Sequence, residues 1–391
     1  MRRLHGLPRH GVTVGNSSSQ DGTLPQAGAR ATARGLQLPR GAESLHLEDA
    51  YVHYQLVRRI FALFSGWGYL PLETPVLDFF DIYQPLLDDG AVQHVYRLVD
   101  RDGDLLMLRS DITLFLAKQV ALALEGMPLP IRVCYFDTIL RHHDREEISR
   151  NEFYQVGAEL VGRSGARANL EVLALLNRLL EELGLVHAVV HVGSRRLLEA
   201  CLPEAGSDAQ RSLRRAVLAR DWPALGELFE HQAGAAARAR ELFSCIATPR
   251  EFASDLDTRR AGWPRPVTEE LEQVAELVTT AAQLAPPGRF RIDLSEVGSQ
   301  PYHSGLVFSV YTPGIGTAIA AGGRYDRLLG TFGRPAPAAG FSLLLRTAEP
   351  AMQARSELLP PREVTEVQDG DFVSGYRRAE QIRASGGVAV L

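Results

Sequence analysis

Cysteine is scarce in this chain of 391 residues, and the three present, Cys134, Cys201 and Cys245, show neither metal-ligand spacing nor the arithmetic of a disulfide framework. They suit a reducing compartment, so a cytoplasmic location is the expectation. No apolar run, the segment after the N-terminal arginines included, is long enough for a signal peptide or a membrane span. Long basic blocks are also missing, and a formal net charge of -5 gives no long-range attraction to nucleic acid or to an anionic membrane. Neither a G-x-G-x-x-G nor a G-x-x-x-x-G-K cradle occurs, which leaves a Rossmann cofactor or a Walker nucleotide site without support.

What is present is an ordinary globular composition, with 45% hydrophobic and 23% charged residues over a length that suits two domains or one large domain with an appendage. Residues 1–42 mix Gly, Ser, Arg, Pro and Ala without large apolar clusters and read as an N-terminal extension lacking order. Periodic structure begins near Leu47, where Leu56, Val57, Ile60, Phe61 and Phe64 mark one face of a helix. A helix-to-extended turn follows through Gly68, Tyr69, Thr74 and Pro75. Residues 43–350 form the expected main domain. It is interrupted at about 200–260 by short Ala- and Arg-rich helices, and residues 351–391 make a linker and a short appendage. The run Gly322 to Asp326 is expected to interrupt a late strand, and Tyr376, Ala379, Ile382 and Ala384 to lie on a C-terminal helix.

The chain is organised around Phe136 to Gly162. This stretch reads as an apolar strand, a loop crowded with charge, and a second strand with Phe153, Gln155, Gly157 and Glu159 on one side. If that side meets water, Gln155 and Glu159 are a solvated edge. If it lines a concave sheet face, they form a polar pocket for a small cationic or amphoteric ligand, because a buried carboxylate must be paired. Asp111 and Thr113, at the entrance to a helix near Leu114, offer the same choice between helix cap and ligand contact.

Taken together, these motifs resemble the catalytic core of histidyl-tRNA synthetase, over roughly residues 45–350. Gly68-Tyr69 with Thr74-Pro75 is similar to the dimer-forming first motif of class II synthetases, and Arg141 to Glu159 to the second. Gly305 through Asp326 resembles the two histidine-specific motifs, and Ala339 to Leu345 the start of the third. The resemblance implies an α+β fold: a class II aminoacyl-tRNA synthetase-like core, with a mixed, mostly antiparallel sheet flanked by helices, a helical insertion and a short C-terminal appendage. Three departures bear on activity. The adenine-side glutamate is replaced by His143, the histidine-specific catalytic arginine by Gly298, and the third motif's ATP-clamping arginine by Thr347.

Those losses, with no room for a full anticodon-binding domain after the core, are similar to the catalytically silent paralogues that serve as regulatory subunits of ATP phosphoribosyltransferase. That resemblance implies histidine as an allosteric ligand, no cofactor or metal, no catalysis and no tRNA. It also implies a short-form catalytic subunit as partner in a hetero-octamer of four and four, and dimerisation through the Gly68 to Pro75 region. Carried over by position, the histidine contacts are Asp111, Thr113, Gln155, Glu159, Tyr302, His303 and Arg324. Asp111 and Thr113 are expected at the ammonium, Glu159 and Tyr302 at the imidazole, and Arg324 at the carboxylate. Arg141 is a vestigial anion or nucleotide contact.

Overall fold

The structure, a computed structural model, describes residues 38–39, 41–142, 150–203, 206–229, 234–360, 363–368 and 371–391. The expectation for residues 1–42 therefore lies mostly outside the described residues, as does His143. The described chain divides into two compact units. The larger comprises residues 41–43 and His53–Glu357, and the smaller contains Ser44–Val52 and Leu358–Leu391.

In the larger unit, helix α1 (Leu47–Gly66, from His53 onward) buries Leu56, Ile60 and Phe64 completely, whereas Phe61, expected on the same face, is exposed and Val57 only half-buried, so the buried stripe is narrower than the spacing indicates. Gly68 ends it with φ +79 and the chain turns into the edge strand β1 (Leu70–Pro71). A small sheet follows, made of β2 (Leu77–Phe79), β3 (Arg97–Val99) and β4 (Leu105–Leu108), with helix α2 (Asp89–His94) between its first two strands. Helix α3 (Ile112–Leu122) then leads to two long strands, β5 (Ile131–Leu140) and β6 (Glu152–Val161). Helix α4 (Gly165–Glu182), β7 (Val189–Ser194) and α5 (Arg195–Cys201) precede the insertion.

The insertion holds α6 (Ser207–Ala219), α7 (Trp222–Leu228) and α8 (Ala235–Phe243), then β8 (Ile246–Ala247), α9 (Pro249–Ser254) and α10 (Leu256–Arg260). Helix α11 (Arg265–Ala282) returns the chain to β9 (Phe290–Asp293), β10 (Leu306–Tyr311), β11 (Ala320–Arg324) and β12 (Ala338–Leu344). The main strands form one nine-stranded sheet in the order β1-β5-β6-β12-β11-β10-β7-β9-β8. Only the β1–β5 and β7–β9 pairs are parallel, so the sheet is mixed and mostly antiparallel as expected.

Register decides what each face carries. Gly340 of β12 lies opposite both Glu159 of β6 and Gly323 of β11, and Val133 of β5 lies opposite Glu159 on the other side. Directly opposed residues share a face and their sequence neighbours take the other. The alternate set, including Phe136 and Phe341, packs its rings against Phe64 of α1. Helix α3 packs with the opposite set, its Leu114, Phe115 and Val120 joining Val133 and Tyr135 in a buried cluster.

Strand β11 does not break at Gly322 and Gly323. The glycines are needed for packing within the sheet: a Cβ at Gly322 would lie 2.4 Å from Gly340 O, and one at Gly323 would lie 2.6 Å from Leu306 O.

The smaller unit contains β13 (Thr365–Glu366), helix α12 (Phe372–Ala384) and β14 (Ala389–Val390), with β13 and β14 paired in parallel. Its core is thin, with Val367, Ala379 and Ala389 buried and Ile382 packed against them. Tyr376 is 47% exposed, because the helix presents Ala379 and Gly375 inward and that narrow core has no place for an aromatic ring.

Candidate functional site

Period-two alternation places Gln155, Gly157 and Glu159 on one face of β6, and α3 and the Ser299–His303 segment enclose that face rather than leaving it to water. The result is a cavity of about 200 Å³. It brings together Asp111, Thr113, Arg141, Gln155, Glu159, Tyr302 and His303 from the sequence reading. A volume below the roughly 300–1,000 Å³ of drug-sized sites suits a ligand of amino-acid size.

Asp111 is the N-cap of α3, and its side chain also lines the cavity. One carboxylate oxygen accepts from the Thr113 amide at 2.9 Å and the other from the Tyr302 hydroxyl at 3.0 Å. The cap thus fixes the carboxylate at the cavity wall. Gln155 Oε1 accepts from the Ile112 amide at 3.2 Å, tying β6 to the same helix start. Arg141 donates from Nε to Ser110 O at 2.9 Å.

Glu159 is 1% exposed. Its carboxyl accepts from Thr113 Oγ1 at 2.9 Å, from Tyr135 Oη at 3.5 Å and from the Tyr325 hydroxyl. Burial pushes it up to about 8, and the nearby negative charge of Asp111 pushes the same way. The hydroxyls of Tyr325, Thr113 and Tyr135 offset part of this. His303 is driven the other way, to about 3, by burial and then by Arg195 and Arg214, so its imidazole is neutral. Burial, followed by the charge of Asp111, raises the Tyr302 hydroxyl well above its usual range. Among the described residues, the cavity therefore presents two acidic groups and neutral hydroxyls, with Arg141 as the guanidinium among its charged lining residues. It fits a ligand that carries N–H donors at two ends.

Three placements differ from the sequence reading. Thr113, expected with Asp111 at the ammonium, gives its hydroxyl to Glu159 at 2.9 Å. Tyr302 bonds to Asp111, so the tyrosine that shares the Glu159 end is Tyr325. The structure does not bring Arg324 into this cavity. Gly323 shares the face of Glu159, so the next residue turns to the opposite face, where Arg324 bonds to Asn169, Asp326 and the Arg163 carbonyl. It lines a separate space of about 190 Å³ between α4 and α11. Tyr135 and Tyr325 were missed by the sequence reading. Tyr135 could have been found from its register opposite Gly157, which leaves room for the ring: a Cβ there would lie 2.3 Å from Tyr135 Cζ. Tyr325 follows the end of β11, where alternation gives no signal.

The position of the lost catalytic arginine is sterically closed. Gly298 has φ +80, and a Cβ built on it would lie 2.4 Å from His303 Nδ1. The imidazole occupies the space a longer side chain would need.

Glu159 also sets a pH dependence. Its carboxyl ordinarily titrates near 4.5 but is held at about 8 here, so the folded state keeps a proton that the unfolded chain releases. The associated stability is fully present below about 4.5 and is lost as pH rises through 8. Denaturant unfolding of Glu159→Gln should lack this loss, on the order of 5 kcal/mol; an equal pH slope in the two proteins would contradict the burial argument.

The Histidyl-tRNA synthetase family profile matches residues 41–348. An ATP phosphoribosyltransferase regulatory subunit from Moorella thermoacetica is 32% identical over 369 residues, covering 91% of this chain and 92% of that protein. One from Anaeromyxobacter sp. is 34% identical over 340 residues, covering 84% and 98%. Among solved structures, an ATP phosphoribosyltransferase regulatory subunit/histidyl-tRNA synthetase from Bacillus halodurans superposes with a TM-score of 0.78 at 24% identity, covering 91% of this chain and 92% of that one. A histidyl-tRNA synthetase from Nostoc gives 0.73 at 19% identity, covering 91% and 85%. These likenesses show the class II synthetase-like fold. By sequence, the chain belongs to the family of ATP phosphoribosyltransferase regulatory subunits, within the histidyl-tRNA synthetase-like proteins.

Proposed function

We propose that this chain is the non-catalytic regulatory subunit of a short-form ATP phosphoribosyltransferase. In this reading it is required for the activity of the catalytic subunit and confers feedback inhibition by histidine on the first step of histidine biosynthesis. The observation that carries the reading is the coexistence of an acidic, amino-acid-sized cavity with a closed Gly298 position. Histidine offers an ammonium to Asp111, with Tyr302 at that end, and an imidazole N–H to Glu159, with Thr113 and Tyr325 beside it. Gln155 spans the region between them. Arg141, the cation among the described lining residues, is the partner for the ligand carboxylate in place of Arg324. No cofactor is required.

Adenylation needs cationic groups that bind the phosphoryl charge more tightly in the transition state than in the ground state. Gly298 and Thr347 supply none. Arg141 is the observation that favours the alternative, a histidine-activating enzyme. Histidine-dependent exchange of pyrophosphate into ATP tests it: no exchange is expected, and Gly298→Arg should not create any because His303 fills the space. Turnover by the parent chain would establish the enzyme reading.

Self-association through the Gly68 to Pro75 region is supported by exposed apolar side chains along the outer face of α1 and on β1, with Tyr54 at 72%, Phe61 at 41% and Leu70 at 65%. We place the subunit in a hetero-octamer of four regulatory and four catalytic chains, in the cytoplasm, without tRNA or membrane contact. Among the described residues no helix is long and apolar enough to cross a membrane.

A further inference from the structure

The cavity has two walls built from chain segments outside the sheet. One is Ser299 with Gln300, and the other is Arg141, which follows β5 and donates to Ser110 O. Among the described residues, a buried side chain from the helical insertion connects them. Arg214 of α6 is 6% exposed. It donates from Nη1 to Ser299 O at 2.6 Å and from Nη2 to Asp88 Oδ2 at 3.4 Å. The other oxygen of Asp88 accepts from the Ala91 amide at 2.8 Å and caps α2. The far end of α2 is tied to the second wall, because His94 O accepts from the His142 amide at 2.8 Å and His94 Nδ1 lies 2.7 Å from His142 O. Arg141 is the neighbour of His142 in sequence and lines the cavity. The path Ser299, Arg214, Asp88, α2, His142 thus runs from one wall to the other through the insertion.

We propose that Arg214 is the positioning residue that transmits occupation of the cavity to the helical insertion, so that the insertion carries the regulatory signal. This rests on the reading of the cavity as the inhibitor site. A desolvated guanidinium that loses either the Ser299 carbonyl or the Asp88 carboxylate is left poorly paired, and its Nε already has no partner among the described residues. A ligand that shifts Ser299 and Gln300 therefore moves α6 or α2 with them, and the walls do not rearrange independently. The coupling equals the ligand's difference in affinity for the two arrangements, so it disappears when the link is cut even though the ligand contacts remain.

The test uses the full chain mixed with its catalytic subunit and compares Arg214→Lys, Asp88→Asn and the parent. Lysine keeps the charge but has no planar fork to span both partners, and asparagine still caps α2 while losing the charge. Three quantities are read: histidine binding by calorimetry, inhibition of the mixture, and hydrogen exchange with and without histidine. The expected result is binding within about threefold of the parent and a histidine-induced exchange change retained at residues 299–302. The change over α6 and α2 should be lost, and the inhibition constant should rise at least about tenfold. Inhibition and α6 exchange like the parent's in Arg214→Lys would overturn the relay. If that variant fails to fold, unchanged inhibition in Asp88→Asn overturns it equally. A parent chain that binds no histidine removes the regulatory reading itself and the relay with it, and that outcome is seen before any variant is compared.

Discussion

Gly340→Ala is expected to abolish histidine binding and to destabilise the fold by about 3–5 kcal/mol. A Cβ at this position would lie 1.6 Å from Glu159 Oε2, 2.4 Å from its Cδ and 2.5 Å from the Ala158 carbonyl oxygen. The first two contacts are with a carboxyl held by three hydroxyls, and the third is backbone of the paired strand. Relief requires either separating β6 from β12 or pushing the carboxyl out of its bonds to the three hydroxyls. Each unsatisfied group left behind costs about 1–3 kcal/mol. Gly330→Ala is the control, since its Cβ would find nothing nearer than Pro335 Cβ at 3.7 Å. Denaturant unfolding and calorimetry on both variants check this. Wild-type stability and binding in Gly340→Ala would mean that the carboxyl has a second resting place.

Glu159→Gln should separate charge from volume at the same spot. The glutamine fills the same space and resembles the protonated carboxyl that burial favours at neutral pH. It cannot become the anion that receives an imidazole N–H in a charge-assisted bond worth about 1.5–3 kcal/mol. The histidine inhibition constant should accordingly rise about 10- to 100-fold. Sedimentation of the mixed subunits, run in parallel, identifies the cause. If the variant no longer assembles with the catalytic subunit, Glu159 holds the structure together and the loss of inhibition says nothing about the ligand. An unchanged inhibition constant would remove Glu159 from the imidazole end.

The face of β6 was legible in the sequence because alternation is a local signal: Phe153, Gln155, Gly157 and Glu159 do share a side. The same rule applied to β11 would have excluded Arg324 from the cavity, since Gly323 and Arg324 must point to opposite faces. That step needs the register between β11 and β12, a long-range pairing that the glycine-rich run Gly322-Gly323 disguised as a break. The placing of Tyr302 at the Glu159 end, where the structure has Tyr325, has a similar origin. Both tyrosines lie outside regular strands, and only packing decides which carboxylate each hydroxyl reaches. Asp111 shows a limit of a different kind, because cap and cavity contact looked like alternatives whereas a carboxylate with two oxygens serves both. The insertion was visible as Ala- and Arg-rich helices, but no local pattern marks Arg214 as a buried member of that set.

The measurement that bears most directly on the regulatory reading is calorimetric titration of histidine into the purified chain, with and without the short catalytic subunit, with phosphoribosyl-ATP formation followed in the same samples. The account requires saturable binding to the chain alone, activity only in the mixture, and inhibition of that activity as the cavity fills. Full inhibitable activity of the catalytic subunit on its own, or an absence of histidine binding to this chain, would contradict it.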